Sequence, residues 1–279
     1  LYQRALAIAE RAYGPESVQV AGALNNCAYF EEHSGARDEA LRLYERSLEL
    51  KERALGPDDP SVAATYGNLG VVYTRGGELA RAVKAFERAL AIIDTQHKRP
   101  DRDVANALHN LAAARGRLGE HGEALRLYER ALEVRETLYG AGHIEVAVTQ
   151  RNIGVCHLEL GALAEARRWL ERALMTYELA LGPDHEYLAG PLVALARVAE
   201  REGDIGEALA SARRGYALRP TDAAAFALAR ALWSSGQEQE ARELAAKARV
   251  GLVAEGPPGA RELAALDEWL AARDEPRSR

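Results

Sequence analysis

Apolar side chains recur along the chain at steps of three and four residues, as on one face of an α-helix. One such stripe lies within residues 62–73 and a second within 79–93, and Gly77 separates them. A glycine between two amphipathic helices lets the chain reverse direction. Ser61, directly after Pro60, is the predicted N-cap of the first helix. The pattern therefore predicts two antiparallel helices joined by a short turn.

This two-helix pattern repeats with a period of 42 residues. Several sequence columns keep that interval: Asn26, Asn68, Asn110 and Asn152; Gly35, Gly77, Gly119, Gly161 and Gly203; Ala40, Ala82, Ala124, Ala166 and Ala208. A single helix pair cannot cover its own apolar face, so successive repeats must stack on one another.

The period predicts the organisation of the whole chain, and it shortens after residue 188. We expect one solenoid over 1–272, with a partial repeat (1–20), four 42-residue repeats (21–62, 63–104, 105–146 and 147–188), two shorter repeats (189–221 and 222–250), a capping helix (259–272) and a disordered tail (273–279).

The repeats resemble a known family. The residues that carry the resemblance in the repeat 63–104 are Leu69, Gly70, Tyr73, Gly77, Ala82, Phe86 and Ala89. They are similar to the tetratricopeptide repeat, and the 42-residue length with Gly-Pro-Asp turns at 56–58 and 182–184 resembles its kinesin-light-chain form. The resemblance implies an all-α, right-handed superhelical solenoid whose first helices line a concave groove that binds protein or peptide partners. The segment 97–100 departs from the Gly-Pro-Asp pattern.

Composition supports a helical protein. Alanine occupies 55 of 279 positions, while Phe, Trp and Met together are scarce. Facing Ala and Gly columns let two helices approach closely, so a Leu at Gly70 or Ala124 should overpack. The outer face of the second helices carries Glu-Arg pairs in register and is expected to be solvated.

Charge and cysteine content exclude several classes. The net charge of −6 disfavours nucleic acid and anionic membranes as partners. No apolar stretch is long enough to span a membrane, and no leader peptide is visible. The two distant cysteines, Cys27 and Cys156, fit packing in a cytoplasmic protein. Only four lysines among many arginines favour a bacterial source, and the start at Leu1 inside a helix suggests a piece of a longer chain.

No catalytic motif is present, and no cofactor or metal site is predicted. The histidines are scattered, and His143 and His185 fall in turns between repeats, where a turn or capping role is expected. We therefore expect a protein that is not an enzyme.

The asparagine column is the strongest functional candidate, because Asn is a mediocre helix former and four in register need a cause. One cause is a ligand, since an amide donates and accepts hydrogen bonds as a peptide unit does. The other is structural, a bond from each Asn to the adjacent repeat. Helical geometry places further side chains on the same wall. The predicted groove residues are Asn26, Tyr29, His33, Asn68, Arg75, Asn106, His109, Asn110, Arg117, Arg151, Asn152, Arg197 and Arg201.

This wall is predicted to be more basic than the chain as a whole, which favours an extended peptide that is acidic or that ends in the groove. The alternatives are a regulatory or recruiting arm of a longer kinase or ATPase, and, remotely, an RNA-binding helical repeat. End-to-end self-association through the N-terminal face is a further possible contact.

Overall fold

The computed structural model describes residues 1–96 and 101–274. Within these residues the chain forms α-helices and two short 3-10 helices, and no strand. The α-helices are α1 (Tyr2–Tyr13), α2 (Val18–Ser34), α3 (Arg37–Leu55), α4 (Pro60–Arg75), α5 (Leu79–Gln96), α6 (Arg102–Arg117), α7 (His121–Tyr139), α8 (Ile144–Glu159), α9 (Leu163–Leu181), α10 (Ala189–Glu202), α11 (Ile205–Leu218), α12 (Asp222–Ser234), α13 (Glu238–Glu255) and α14 (Ala260–Asp274). The predicted all-α class is confirmed.

The turns are set by glycines and by caps. The glycine that follows or separates each helix pair has a positive φ, as at Gly77 (77°) and Gly203 (82°), a conformation that glycine adopts without strain. The predicted cap at Ser61 is wrong. Asp59 caps α4 by accepting a hydrogen bond from the Ser61 backbone at 2.8 Å, and Pro60 occupies the first turn, where its missing N–H costs nothing.

The histidine caps are confirmed. The Nδ1 atom of His143 accepts a hydrogen bond from the Glu145 backbone at 3.1 Å, and that of His185 accepts one from Tyr187 at 3.2 Å. These imidazoles therefore hold the first turns after the inter-repeat connections, and no ligand is needed to explain them.

The chain divides into two compact units, residues 1–134 and the residues from 135 onward. In the first unit, the close approach that the small-residue column predicts is visible at Gly70, where an added Cβ would lie 2.5 Å from the Phe86 ring. In the second unit, a Cβ on Gly154 would lie 2.7 Å from the Leu170 side chain. Glycine at these two positions is required by the distance between the paired helices.

Within the second unit, α14 packs against α12. Leu266 of α14 is fully buried, and the Trp269 ring meets the Phe226 and Trp233 rings edge-on at 6.0 and 5.7 Å. The helix continues to Asp274. The rest of the predicted tail, 275–279, and the segment 97–100 lie outside the described residues.

The outer face of the second helices is more organised than a merely solvated surface. Arg46, Arg88 and Arg214 each donate to the carbonyl of the proline in the turn preceding their repeat, at 3.4, 2.9 and 2.9 Å. Arg214 also pairs with Glu178 at 2.7 Å. In these three repeats the arginine thus joins the second helix to the turn that precedes the repeat.

Candidate functional site

A pocket of about 290 Å³ opens in the first unit between α4, α5 and α6. Three predicted groove residues meet there: Asn68 on α4, and Asn106 and Asn110 on α6. Apolar side chains form the floor: Val71, Phe86, Ala89, Ile92 and Ile93. Among the described residues that line it, Asp103 alone carries a charge. The pocket therefore combines an apolar floor with amides that can donate and accept hydrogen bonds.

The opening exists because the residues that would fill it are small. Ala64 and Gly67 lie on the pocket side of α4, and a Cβ added to Gly67 would meet nothing within 4 Å. Since α4 and α6 are the first helices of successive repeats, their spacing is fixed by α5. Phe86 of α5 shares a buried cluster with residues of both helices, and Ile92 packs in a cluster with residues of α4. The side chains at the mouth are thus held by three packed helices.

The asparagine column is only partly explained by contacts between repeats. Asn68 donates from Nδ2 to Oδ1 of Asn25 at 3.3 Å, which joins α4 to α2. Asn152 instead accepts, through Oδ1, from the guanidinium of its neighbour Arg151, at 3.2 and 2.9 Å. Asn26 is exposed on α2 and does not line the pocket. Asn68 therefore forms the predicted bond to an adjacent repeat. Asn152 instead bonds to a neighbour on its own helix.

Two predicted residues on α2 contact each other. The rings of Tyr29 and His33 lie 4.1 Å apart, and the His33 ring nitrogen Nδ1 lies 2.7 Å from the Tyr29 carbonyl oxygen. On α6, His109 packs edge-on against the buried Tyr128 ring at 5.3 Å. None of these three predicted residues lines the pocket of the first unit.

The arginines predicted for the first unit bind protein groups. Arg75 pairs with Glu32 at 2.7 Å, and the Glu32 side chain is only 6% exposed. Arg117 donates to the Thr74 carbonyl at 3.3 Å, near the C-terminal end of α4, where a cation complements the helix dipole. Both lie near the C-terminal ends of their helices. The pocket lies toward the N-terminal ends, so the arginines and the asparagine pocket occupy different parts of the wall.

The second unit shows the same arrangement. Arg201 donates to the Leu158 carbonyl at 2.5 Å, as Arg117 does to Thr74. Arg197 pairs with Glu159 at 2.9 Å, and Arg261 at the start of α14 reaches the same carboxylate at 3.0 Å. Arg197 and Arg201 are thus bound to protein groups on α8.

A second pocket, of about 280 Å³, lies in the second unit among α8, α10 and the start of α12. Arg151 was predicted to be on the wall, but Tyr187, Gly190, Arg219 and Thr221 were not. The last two belong to the shorter repeats, where the 42-residue columns no longer align, so the period gave no signal for them. In this pocket the structure adds two charged residues, Glu186 and Arg219, to those predicted for the wall.

Buried titratable groups in both units have structural explanations. Burial raises the pKa of the Cys156 thiol to about 12 and also raises that of Cys27. Burial likewise raises the pKa of Tyr177 to about 12. Among the described residues, no group of three or more His, Cys, Asp or Glu side chains is placed to hold a metal ion.

The comparisons with known sequences agree with this architecture. The sequence profile of the tetratricopeptide repeat family matches residues 19–94 and 103–178, and a second profile of the same family matches 193–260. The chain belongs to the tetratricopeptide repeat family. No curated protein sequence matches the chain.

Several solved structures share the fold. BtubC (BKLC) from P. vanneervenii is 24% identical, with a TM-score of 0.65, over 78% of this chain and 87% of that one. A putative kinesin light chain from Podosopora anserina is 24% identical, with a TM-score of 0.55, over 69% and 95%. YrrB, described as a tetratricopeptide repeat protein with an unusual peptide-binding site, is 20% identical, with a TM-score of 0.53, over 79% and 94%. The predicted helical-repeat solenoid, similar to kinesin light chain, is confirmed.

None of the helices described within 1–96 and 101–274 combines the length and the apolar character that crossing a bilayer requires.

Proposed function

We propose that this tetratricopeptide repeat chain is a protein-interaction module that binds an extended peptide along its first helices. The observation that carries the proposal is the pocket of the first unit, where Asn68, Asn106 and Asn110 surround an apolar floor. An asparagine amide matches the donor and acceptor of a peptide unit. The floor offers a place for one apolar side chain of the same peptide.

The likeness to YrrB supports this assignment at the level of the fold, because that protein is described as having a peptide-binding site. The absence of a catalytic constellation from the described pockets also suits a binding module.

We further propose that the ligand has acidic character. The exposed part of the Arg75 side chain, 54% of it, is available beyond its bond to Glu32, and an arginine fork recognises carboxylates well.

Selection of peptides tests the proposal. An array of random decapeptides, probed with the labelled chain, should enrich an apolar residue flanked by acidic ones. Asn110→Ala should reduce the signal of the enriched peptides by about tenfold, the effect of losing a hydrogen bond whose partner stays buried. Asn68→Ala should do the same, but it also removes the bond to Asn25, so Asn110→Ala is the more direct test.

The matched control is Glu129→Ala, because Glu129 is exposed on α7 and does not line the pocket. Its peptide signal and its thermal unfolding should equal those of the unchanged chain. The pocket assignment is wrong if Asn110→Ala retains full peptide binding while its circular dichroism spectrum shows an intact fold. An array without enrichment would refute the peptide-binding function itself.

A further inference from the structure

We propose that the pocket of the second unit is a carboxylate-binding site in which Arg151 and Arg219 grip the anion; as a subsite for a peptide ligand it rests on the proposed function. The described charged residues that line this pocket are these two arginines and Glu186. The lining therefore carries an excess of one positive charge. The pocket of the first unit differs, since its charged lining residue is the acidic Asp103.

The arginine at 151 is held in place by neutral groups. Its Nε and one terminal nitrogen both donate to Oδ1 of Asn152, at 3.2 and 2.9 Å. The side chain lies against Gly190 on α10, where an added Cβ would come within 2.9 Å of a terminal nitrogen and 3.0 Å of Cδ. The guanidinium is thus oriented by an amide, which leaves its positive charge without neutralisation by that partner.

Arg219 is the second cation, and its internal partner is weak. Its Nε lies 3.5 Å from a carboxylate oxygen of Glu186, and both side chains are more than half exposed. An ion pair of this length and exposure contributes little free energy and exchanges readily with a competing anion. The backbone beside it is fixed, because Thr221 caps α12 by accepting from the Ala224 N–H at 3.2 Å.

Two tyrosines, Tyr177 and Tyr187, are the aromatic residues of the pocket lining. Tyr177 is 2% exposed and packs edge-on against the half-exposed Tyr187 at 6.0 Å between ring centres. The His185 ring meets the Tyr187 ring edge-on at 4.9 Å between ring centres. Because the buried Tyr177 lines the same pocket as Arg151, a charge-assisted hydrogen bond formed by this arginine is stronger than one on an open surface.

The comparison of the two pockets shows why the anion belongs to the second. Arg151 lies two 42-residue periods after Gly67, and Tyr187 lies two periods after Asp103. The same helical positions therefore present open space and an acid in one pocket, and a cation and an aromatic ring in the other. Coulombic attraction favours a carboxylate only in the second.

Small acids test the site without the need to know the peptide. ¹⁵N-labelled chain is titrated with N-acetylglutamic acid α-amide, which has a side-chain carboxylate, and with N-acetylalanine, which has a terminal one. N-acetylglutamine α-amide is the neutral probe. Saturable shifts at residues 186–190 and 219–224 are expected with the acids and not with the neutral amide. The acid that saturates at the lower concentration identifies a side-chain or a C-terminal carboxylate as the natural group.

Two variants locate the anion, and one serves as the control. Gly190→Ala should displace the Arg151 guanidinium and raise the Kd for the better acid by about tenfold, as should Arg219→Gln, since each removes a charge-assisted contact. Arg168→Gln removes an exposed arginine of α9 outside the pocket lining, so it should leave the Kd unchanged.

The proposal is overturned if the neutral amide shifts the same residues equally, or if Gly190→Ala and Arg219→Gln titrate like the unchanged chain. Asn110→Ala should not alter the acid titration, because Asn110 lines the other pocket. Acid binding here together with an array that enriches no peptide would refute the proposed function alone. Peptide enrichment on the array, together with no saturable shift by either acid, would refute this inference and leave the peptide-binding function standing.

Discussion

A lysine buried between successive helix pairs makes a prediction about stability that can be worked from the structure. Lys51 on α3 is 7% exposed, and its Nζ donates to Oγ1 of Thr65 at 2.7 Å and to the Ser61 carbonyl at 3.1 Å. Thr65→Val keeps the shape of the side chain but removes an acceptor from a buried ammonium. We expect the free energy of unfolding to fall by about 1–3 kcal/mol.

Urea unfolding at pH 7, followed by far-ultraviolet circular dichroism, measures this change. Thr65→Ser keeps the hydroxyl and loses only one methyl group, so its cost should stay near 0.8 kcal/mol, about that of one buried CH₂. The hydrogen-bond argument fails if the Val and Ser variants are equally destabilised.

The same lysine should give a pH dependence with a defined sign. Burial lowers the pKa of Lys51 below its ordinary 10.5. Between the lowered folded pKa and 10.5 the unfolded chain binds more protons, so the free energy of unfolding should rise with pH in that window. Below the folded pKa both states are protonated, and the contribution no longer changes with pH.

The difference in stability between the unchanged chain and Lys51→Met, measured from pH 7 to pH 10, isolates this contribution. Arg135 provides the control, because it is 4% exposed and donates to Thr149 at 2.8 Å in the equivalent position of the second unit. Arginine stays protonated over this range. The corresponding difference for Arg135→Met should therefore be flat, and an equal slope for both variants would contradict the assignment to Lys51.

Three further predictions concern packing, surface charge and reactivity. Gly70→Ala should cost about 1–3 kcal/mol in urea unfolding, because its Cβ would overlap the Phe86 ring. Gly22→Ala is the control and should stabilise the chain, because its Cβ would meet nothing within 4 Å. Equal effects of the two substitutions would refute the packing argument. Arg88 pairs with Asp58 at 3.0 Å, and both side chains are more than a third exposed. Arg88→Gln should therefore cost less than about 1 kcal/mol in urea unfolding, and that cost should shrink in high salt. Cys156 should resist iodoacetamide at pH 8 in the native chain and react in urea, as mass spectrometry can show, since burial raises its pKa to about 12; rapid native alkylation would contradict this.

The sequence alone determined the local elements and their repetition. A helix depends on residues that are neighbours in sequence, and the period of 42 arises because every repeat packs its two helices in the same way. The helix pairs, the glycine turns and the close contact at Gly70 were therefore all predictable. Asn68 and Asn110 also proved to share a pocket, because equal register on parallel first helices brings side chains together.

Only the tertiary structure decided what the side chains of the wall do. Arg75 binds Glu32 and Arg117 binds the Thr74 carbonyl. A long side chain can reach any of several groups, and which one it reaches depends on distances between helices. Arg219 was not predicted to line the wall, because it lies in the connection between α11 and α12, where the 42-residue period no longer holds. A repeat pattern places residues on a face, but the partners across that face are set by how the helices pack.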